Sequence, residues 1–402
     1  MRVAYISADP GIPVFGSKGA SVHVQEIIRC WRALGWDVTV YATRIGKQVP
    51  EDLTDLDVIH VPVPDAPQGN DADRLARVVA REVAQQEAAD LIAQQVISTG
   101  ADAVYERYSL FSTALAQITE TLSIPGFLEV NAPLIDEQQT HRDLSDLGAA
   151  HAALNRQVAA ATRTACVSEP VADWVRHTVD AAHHHHLDRV LVTPNGVNLQ
   201  RIRPSQDSQT TGDHAQEPVV VFVGTLKPWH GVEHLIEARS LATRPWRLRL
   251  VGDGPQRDAL LQQATQLGVA VEFMGAVAPA DIPNHLERCA VAVAPYPRMA
   301  QNSDQYFSPL KIYEYCAAAL PVVASKVGQI PQIIEDGVTG LLVAPSDPLE
   351  LAQAVDTLVG DPQRRRAMGR AARDMAERER SWHSVLATIL EGTSLAQVGD
   401  SA

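Results

Sequence analysis

Short apolar runs that alternate with longer helical patterns are the feature that most constrains how this chain folds. The first run, RVAYIS, precedes a glycine-bearing loop and a segment in which Val24, Ile28 and Trp31 recur at helical spacing. Because these runs lack polar alternation, we expect strands that are buried on both faces. Repeated strand–helix units of this kind predict an α/β fold with parallel sheets.

A polar, aperiodic stretch at residues 203–218 divides the strand–helix pattern into two series. Its Gly, Pro and Ser content is typical of a linker or a long loop. A second series of strands and helices starts directly after it, at VVVFVG. We therefore predict two doubly wound, Rossmann-like domains whose strands point their carboxyl ends at a central cleft.

The charge and the apolar runs exclude several classes of protein. A formal net charge of −14 argues against a nucleic-acid partner, since such partners are bound by clustered Lys and Arg. No 18 apolar residues run together, and the first apolar stretch is too short for a signal peptide. We expect a cytoplasmic protein without a transmembrane segment, for which peripheral membrane contact stays open. The single cysteines, expected in the core, are Cys30, Cys166, Cys289 and Cys316.

The stretch YFSPLKIYEY poses a choice between a surface salt bridge and a binding site. Lys311 and Glu314 are helical neighbours, and such a pair contributes only about 0.2–0.5 kcal/mol. Alternatively, Ser308 caps a helix, Pro309 takes its first position, and the N–H groups of Leu310 and Lys311 bind an anion. The helix follows the strand AVAVAPY, so its N-terminus faces the predicted cleft, which favours a ligand.

Three further loops follow strands of the second series, in FVGTLKPWHG, LVGDGP and GAVAPADIP. Each can present backbone N–H groups to a diphosphate. The glycines of LVGDGP lack the third glycine and the later acidic residue of a dinucleotide fingerprint, so a dinucleotide is not expected. The convergence of all four segments predicts a diphosphate site.

Taken in order, these segments, with PNGVNLQRIRP ahead of them, resemble the donor-binding domain of the retaining family-4 glycosyltransferases of the GT-B fold. The N-terminal segment PVFGSKGASVHVQEI resembles that family's glycine loop and following helix, and SWHSVLATIL resembles its last helix. The resemblance covers nearly the whole chain. It implies an acceptor-binding domain at 1–200, joined by 381–402 crossing back onto it, and a nucleotide-sugar domain at 201–380.

The resemblance also implies which residues hold the donor. Glu314 would accept hydrogen bonds from both ribose hydroxyls, whereas Tyr306 replaces a glutamate that the family usually has eight residues earlier. The donor-binding residues implied in this way are Gly224, Thr225, His230, Gly252, Gly254, Val277, Ser308, Pro309, Leu310 and Glu314.

The diphosphate is the part of the donor for which this chain departs from the family pattern. The usual arginine and lysine correspond here to Thr225 and His230, so we expect Lys227 and Lys311 to neutralise the leaving diphosphate. No metal and no cofactor are then required. Four consecutive histidines at 183–186 cannot converge on one ion without contortion, so we expect a solvated loop there.

The acceptor side is less clearly marked. The segment matching the family's usual histidine reads FLEVNAPLIDEQ, and it places Asn131 near a strand end as a third catalytic candidate beside the two lysines. The other acceptor-side candidates are Gly16, Gly19, His23, Arg107, Glu129 and Glu137, together with YERY at 105–108. Structural alternatives stay open: Glu106 with Arg107 as an ion pair, His23 as a helix cap, and Glu129 as a support for its neighbours.

The resemblance implies a metal-independent enzyme that moves a sugar from a nucleoside-diphosphate sugar to a hydroxyl acceptor with retention of configuration. The acceptor can be a glycan, a lipid-linked sugar or a small molecule. Two alternatives remain: an epimerase or hydrolase of nucleotide sugars on the same fold, and a two-lobed solute-binding protein. The latter normally carries an export signal, which we do not find. The donor base, the sugar and the oligomeric state leave no trace in the sequence.

Overall fold

The computed structural model describes residues 1–64, 74–204, 217–299 and 306–396. The chain forms two compact units: Met1–Pro194 with Val385–Ala402, and Asn195–Ser384. The first is called unit 1 and the second unit 2. Most of the predicted linker at 203–218 lies outside the described residues.

Unit 1 is built on a seven-stranded parallel sheet. Its strands are β1 (Arg2–Ser7), β2 (Asp37–Ala42), β3 (Asp57–His60), β4 (Ala103–Arg107), β5 (Gly126–Val130), β6 (Arg163–Cys166) and β7 (Val190–Val192). Its helices are α1 (Gly19–Ala33), α2 (Arg74–Thr99), α3 (Ala114–Leu122), α4 (Leu134–His141), α5 (Leu147–Ala160) and α6 (Glu169–Thr178). The strand order is β3-β2-β1-β4-β5-β6-β7, so the winding direction reverses between β1 and β4.

Unit 2 repeats this plan with six parallel strands. They are β8 (Val219–Val223), β9 (Arg247–Val251), β10 (Val271–Gly275), β11 (Cys289–Ala294), β12 (Val322–Ser325) and β13 (Gly340–Val343). The helices are α7 (Val232–Leu241), α8 (Arg257–Gln266), α9 (Ile282–Leu286), α10 (Leu310–Ala317), α11 (Ile330–Ile333), α12 (Pro348–Gly360), α13 (Pro362–Glu379) and α14 (Trp382–Leu390), the last of which runs across the boundary into unit 1. The order β10-β9-β8-β11-β12-β13 reverses between β8 and β11.

Both faces of the unit 2 sheet are buried, as the unbroken apolar runs predict. Along β8, Val221 and Val223 pack into one core cluster, whereas Val220 and Phe222 pack into another. Successive side chains of a strand point to opposite faces, so the two clusters lie on opposite sides of the sheet. The prediction of two doubly wound α/β domains is confirmed.

Two local features differ from what the sequence predicts. The sequence predicts a helix from about Asp143 to Arg163, where α5 lies, but it does not predict the separate helix α4 before it. The residues of α4, LIDEQQTH, are too polar to show an apolar stripe. The four histidines, expected in a solvated loop, lie in a 3₁₀ helix at Ala181–Arg189, none of whose residues is buried.

Candidate active site

The unit 2 residues predicted to bind a donor gather at one edge of its sheet. Loops at the carboxyl ends of parallel strands form a ligand crevice where the strand order reverses, which in unit 2 is between β8 and β11. The loop after β8 carries Gly224 to His230, the loop after β9 carries Gly252 and Gly254, and α10 follows β11. Val277 follows β10 and packs partly buried against the core.

Glycines let the loops after β8 and β9 touch directly. Gly252 has a φ of +141°, and a Cβ at this position would collide with the carbonyl oxygen of Gly224. A Cβ on Gly254 would lie 2.5 Å from the carbonyl oxygen of Leu226. This packing accounts for both glycines, and their contact with a donor remains a prediction.

Lys311 is the most unusual charge at this edge. Its Nζ is buried and has no hydrogen-bond partner among the described residues. It lies 4.1 Å from the ring centroid of Phe222 and 5.1 Å from that of Tyr296, and a Cβ on Gly224 would stand 2.9 Å from it. Burial lowers the pKa of Lys311 to about 7, although nearby Glu314 favours the charged form. The ammonium group is therefore held in an apolar setting with capacity for an anion.

His230 is held neutral beside this lysine. Burial, assisted by the positive charges of Lys311 and Lys227, lowers the pKa of His230 to about 3. Its Nδ1 contacts the carbonyl oxygen of Thr225, so Nδ1 carries the proton. Lys227 places its Nζ 4.3 Å from the ring centroid of Trp229. His230 thus supplies no positive charge at neutral pH, which leaves Lys227 and the protonated form of Lys311 as the cations at this edge.

The start of α10 differs from the prediction. Ser308 was expected to cap the helix and Pro309 to be its first residue, but the helix begins at Leu310 with Pro309 in the cap position and no side-chain cap. Ser308 instead binds Asn195: its Oγ accepts from the Asn195 N–H at 3.0 Å, and its carbonyl accepts from Asn195 Nδ2 at 2.9 Å. The hydroxyl also lies 3.3 Å from the Tyr313 hydroxyl, so its contact with the helix is to a side chain and not to a backbone N–H group.

The salt bridge between Lys311 and Glu314, the alternative for YFSPLKIYEY, is not formed. Glu314 pairs with Arg201, whose Nη2 lies 3.0 Å from Glu314 Oε1. The two helical neighbours therefore turn to different partners, and the surface salt-bridge interpretation is wrong.

Unit 1 carries a second polar cluster, centred on Glu129 at the end of β5. Glu129 is only 4% exposed. Its Oε1 lies 2.6 Å from His23 Nε2 and 3.2 Å from Arg107 Nη1. Its Oε2 accepts a hydrogen bond from the Tyr105 hydroxyl at 2.8 Å, and Asn131 Nδ2 donates to Oε1. Five of the predicted acceptor-side residues therefore meet in one cluster.

The ionisation of Glu129 fixes how Asn131 is oriented. Burial alone would raise the pKa of Glu129, but His23, Arg107 and Asn131 outweigh it and hold the pKa at about 2. A carboxylate accepts hydrogen bonds and cannot donate them, so the Asn131 amide must turn its NH₂ group towards Glu129. Its carbonyl oxygen, Oδ1, is turned away and can accept a hydrogen bond from a hydroxyl group.

Two structural alternatives for these residues are wrong. Glu106 and Arg107 do not pair, because neighbours on a strand face opposite sides: Glu106 accepts from the Leu115 N–H at 2.8 Å, while Arg107 binds Glu129. His23 does not cap α1, whose cap position is Lys18. The interpretation of Glu129 as a support for its neighbours fits the cluster.

The other acceptor-side candidates lie outside the Glu129 hydrogen bonds given above. Gly19 is the first residue of α1, and a Cβ on Gly16 would lie 2.5 Å from Ser21 Oγ, so the glycine loop packs tightly on this helix. Glu137 lies on α4, where burial raises its pKa against the opposing charges of His141 and Arg142.

Removing the charge of Glu129 should show how much that charge contributes to the free energy of unfolding. Glu129→Gln is expected to lower the free energy of unfolding at pH 7 by about 3 kcal/mol, since Arg107 loses a buried counterion. The folded pKa of about 2 lies below the unfolded value of 4.5, so this stability is present above pH 4.5 and lost as pH falls towards 2. Urea denaturation at several pH values should show the difference shrinking in acid. A free-energy difference that stays constant with pH, or an equal loss of stability in the surface control Glu120→Gln, would contradict this role of the Glu129 charge.

Sequence reasoning gave no role to three residues of these clusters. Phe222 and Tyr296 flank Lys311, and Arg201 binds Glu314. The aromatic residues look like ordinary strand residues in sequence. Arg201 stands in the quoted segment PNGVNLQRIRP, but its partner is 113 residues away.

Among the described residues, no group of three or more His, Cys, Asp or Glu side chains is arranged to hold a metal ion. Their helices also include none that is both long and apolar enough to span a membrane.

Two doubly wound domains, one of them with lysines beside its strand reversal, define an α/β protein of the class that binds ligands at the carboxyl ends of its strands. The family model for glycosyl transferases group 1 matches residues 217–361, and the model for glycosyltransferase family 4 matches residues 17–201. The chain belongs to this family of glycosyltransferases and has the GT-B fold.

The relatives include two enzymes of Mycolicibacterium smegmatis. The GDP-mannose-dependent alpha-(1-6)-phosphatidylinositol monomannoside mannosyltransferase of Mycolicibacterium smegmatis is 31% identical over 210 residues, which are 49% of this chain and 54% of that protein. The alpha-maltose-1-phosphate synthase of the same organism is 31% identical over 256 residues, 58% and 63% of the two chains. The chain thus spans roughly half to two thirds of these relatives.

Solved structures share the fold over almost the full length. Anabaena Alr3699/HepE in complex with UDP aligns with a TM-score of 0.69 at 20% identity, covering 97% of this chain and 99% of that one. WaaG, a glycosyltransferase involved in lipopolysaccharide biosynthesis, aligns with a TM-score of 0.65 at 17% identity, covering 98% and 100%.

Proposed function

We propose that this chain is a retaining, metal-independent hexosyltransferase that moves a sugar from a nucleoside-diphosphate sugar to a hydroxyl acceptor. The observation that carries the proposal is the buried ammonium group of Lys311 at the strand reversal of unit 2. A buried charge without a hydrogen-bond partner is costly, and an anionic ligand offsets that cost.

The leaving diphosphate is the anion that this site suits. Breaking the bond between the sugar and the β-phosphate leaves negative charge on the phosphate oxygen, and cations placed in advance stabilise it. Lys311 and Lys227 supply the positive charges, while the uncapped N-terminus of α10 adds N–H groups and its helix dipole. No metal ion and no cofactor are needed for this role.

The nucleoside half of the donor is assigned to Glu314. Its carboxylate lies four residues into α10, one turn beyond the N-terminus that would hold the phosphates. A carboxylate can accept hydrogen bonds from both hydroxyls of a ribose. HepE was crystallised with UDP and with UDP-glucose, and the mannosyltransferase relatives are GDP-mannose-dependent, which supports a nucleotide-sugar donor of either base.

Asn131 is proposed to meet the acceptor. Its Oδ1 is turned away from Glu129 and can accept a hydrogen bond from the reacting hydroxyl, which fixes the position of that oxygen. In a retaining transfer the acceptor oxygen bonds to the anomeric carbon as the bond to the β-phosphate breaks. The hydroxyl proton passes to the departing phosphate on the same face, so a separate base is optional.

A donor screen tests the proposal directly. UDP, GDP and ADP are each added to the full chain, and thermal unfolding is followed. A nucleotide at 100 times its Kd stabilises the folded chain by about 2.7 kcal/mol, so at least one should raise Tm by a few degrees. If none does at millimolar concentration, the donor assignment fails. The matching sugar nucleotide then allows a product to be isolated, and NMR of its anomeric proton tests retention.

Activity is expected to survive chelation. Because the lysines neutralise the leaving group, turnover with the sugar nucleotide should change less than twofold after dialysis against EDTA. Initial rates with and without added Mg²⁺ and Mn²⁺ measure this. Complete loss of turnover that a divalent ion restores would overturn the metal-independent mechanism.

A further inference from the structure

The segment that opens unit 2 braces α10 at both of its ends. Asn195 holds Ser308, just before the helix, by two hydrogen bonds. At the other end, Arg373 Nη1 donates to the carbonyl oxygens of Ile202, at 2.9 Å, and Ala317, at 2.6 Å. The helix that carries the proposed donor residues is therefore fixed to this segment before and after Glu314.

Arg201 adds a third brace in the middle. Its Nη2 contacts Glu314 Oε1 at 3.0 Å, and its Nη1 donates to the carbonyl oxygen of Pro279 at 2.7 Å. The Arg201 and Glu314 side chains are only 19% and 17% exposed. The Arg201 backbone is fixed in turn, because its N–H donates to Asn198 Oδ1 at 2.9 Å.

One partner of Arg201 is the residue that the proposed function assigns to the nucleoside, and the other lies in a loop predicted to contact the donor. Glu314 is the ribose ligand, and Pro279 follows the predicted donor contact Val277 in the loop after β10. We propose that Arg201 is a positioning residue for the nucleoside: it holds the ribose carboxylate and the loop after β10 in one fixed geometry. This inference rests on the proposed function.

The guanidinium group is the side chain suited to this task. Its N–H donors form a rigid planar fork, so two acceptors bound to it are fixed in distance and angle. A carboxylate held in this way has less freedom to lose when the ribose binds, which strengthens binding. Lysine presents a single ammonium on a flexible stem and cannot hold both acceptors in the same geometry.

The test compares wild type, Arg201→Ala and Arg201→Lys with Arg203→Ala as the matched control. Arg203 is exposed, two residues along the same segment, and its Nε donates to the nearby carbonyl oxygen of Gln200 at 2.8 Å. Calorimetry measures the affinity of each protein for the tightest of UDP, GDP and ADP, for the 2′-deoxy form of that nucleotide, and for pyrophosphate.

Both Arg201 variants are expected to bind the nucleoside diphosphate about tenfold more weakly. Because the loss falls on the ribose contact, the preference for the ribonucleotide over its 2′-deoxy form should shrink at least threefold. Pyrophosphate affinity should change less than twofold, since the proposed phosphate ligands are Lys311, Lys227 and the N-terminus of α10. Arg203→Ala should behave as wild type. In the Glu314→Gln background, adding Arg201→Ala should weaken nucleoside diphosphate binding little further, because Arg201 acts through Glu314.

The outcomes separate the two claims. If wild type binds none of the three nucleotides, the proposed function fails. If wild type binds one and both Arg201 variants keep its ribose preference, Arg201 is only a structural brace and the inference is overturned. An equal loss for nucleotide and pyrophosphate also overturns it, because the whole site has then been disturbed. If Arg201→Ala does not fold, Arg201→Lys and Arg201→Gln are compared instead, by the ratio of their affinities for the ribonucleotide and its 2′-deoxy form.

Discussion

Lys311→Met is expected to lower turnover about a hundredfold or more while making the folded chain more stable. The charge that Lys311 stabilises grows on the leaving phosphate in the transition state, so its loss appears mainly in kcat. Stability should rise by about 1–4 kcal/mol at pH 6, because a buried ammonium without a hydrogen-bond partner is replaced by an apolar side chain of similar length.

The stability difference between wild type and Lys311→Met should change with pH in a defined direction. The folded pKa of Lys311, about 7, lies below the unfolded value of 10.5, so the folded chain binds fewer protons between these values. Wild type therefore gains stability relative to Lys311→Met as pH rises from 7 towards 10.5. The advantage of the variant should be largest below pH 7 and disappear near pH 10.

Urea denaturation and steady-state kinetics measure the two effects. Lys326→Met is the control, since Lys326 is exposed on the same unit. Lys227→Met should also lose about a hundredfold in turnover, and the double variant should lose less than the product of the single losses, because both groups act on one charge. Wild-type kcat and KM in the Lys311 variant would remove it from the mechanism.

Glu314→Gln is expected to weaken nucleoside diphosphate binding about 5- to 150-fold. The variant replaces a charged hydrogen-bond acceptor with a neutral one, a loss of about 1–3 kcal/mol. Glu120→Gln is the control, because Glu120 also pairs with an arginine, Arg156, at 2.7 Å, but lies on the surface of unit 1. Titration calorimetry decides the point: equal affinity in wild type and variant would remove Glu314 from the ribose.

The fold could be predicted because its signal is local. Runs such as the one at β8 are apolar throughout, and a strand buried on both faces requires this. The loops that follow these strands could be placed at one edge, because the carboxyl ends of parallel strands lie on the same side of a sheet. Helix α4 was not predicted, because Ile135 is its single buried residue and one apolar position shows no helical periodicity.

The side-chain partners in the site could not be predicted, because they depend on distant parts of the chain. The spacing of Lys311 and Glu314 predicts that they lie on the same face of a helix, and their backbones do lie one turn apart in α10. Their side chains diverge because Arg201, 113 residues before Glu314, takes the carboxylate, while the gap beside Gly224 admits the ammonium group. Ser308 does not cap the helix, because its hydroxyl contacts the Asn195 N–H, 113 residues away in sequence, and the Tyr313 hydroxyl instead.

Unit 1 is discontinuous in the chain, and this affects the order in which the protein can fold during synthesis. Its main part ends at Pro194, but the unit also includes the segment from Val385 onward, which Arg163 contacts through the Glu391 carbonyl oxygen at 3.2 Å. Unit 2 is continuous and can close once Ser384 has left the ribosome. The part synthesised first is therefore completed last, and until then Leu386 and Ile389, both buried in the finished chain, have not taken their places.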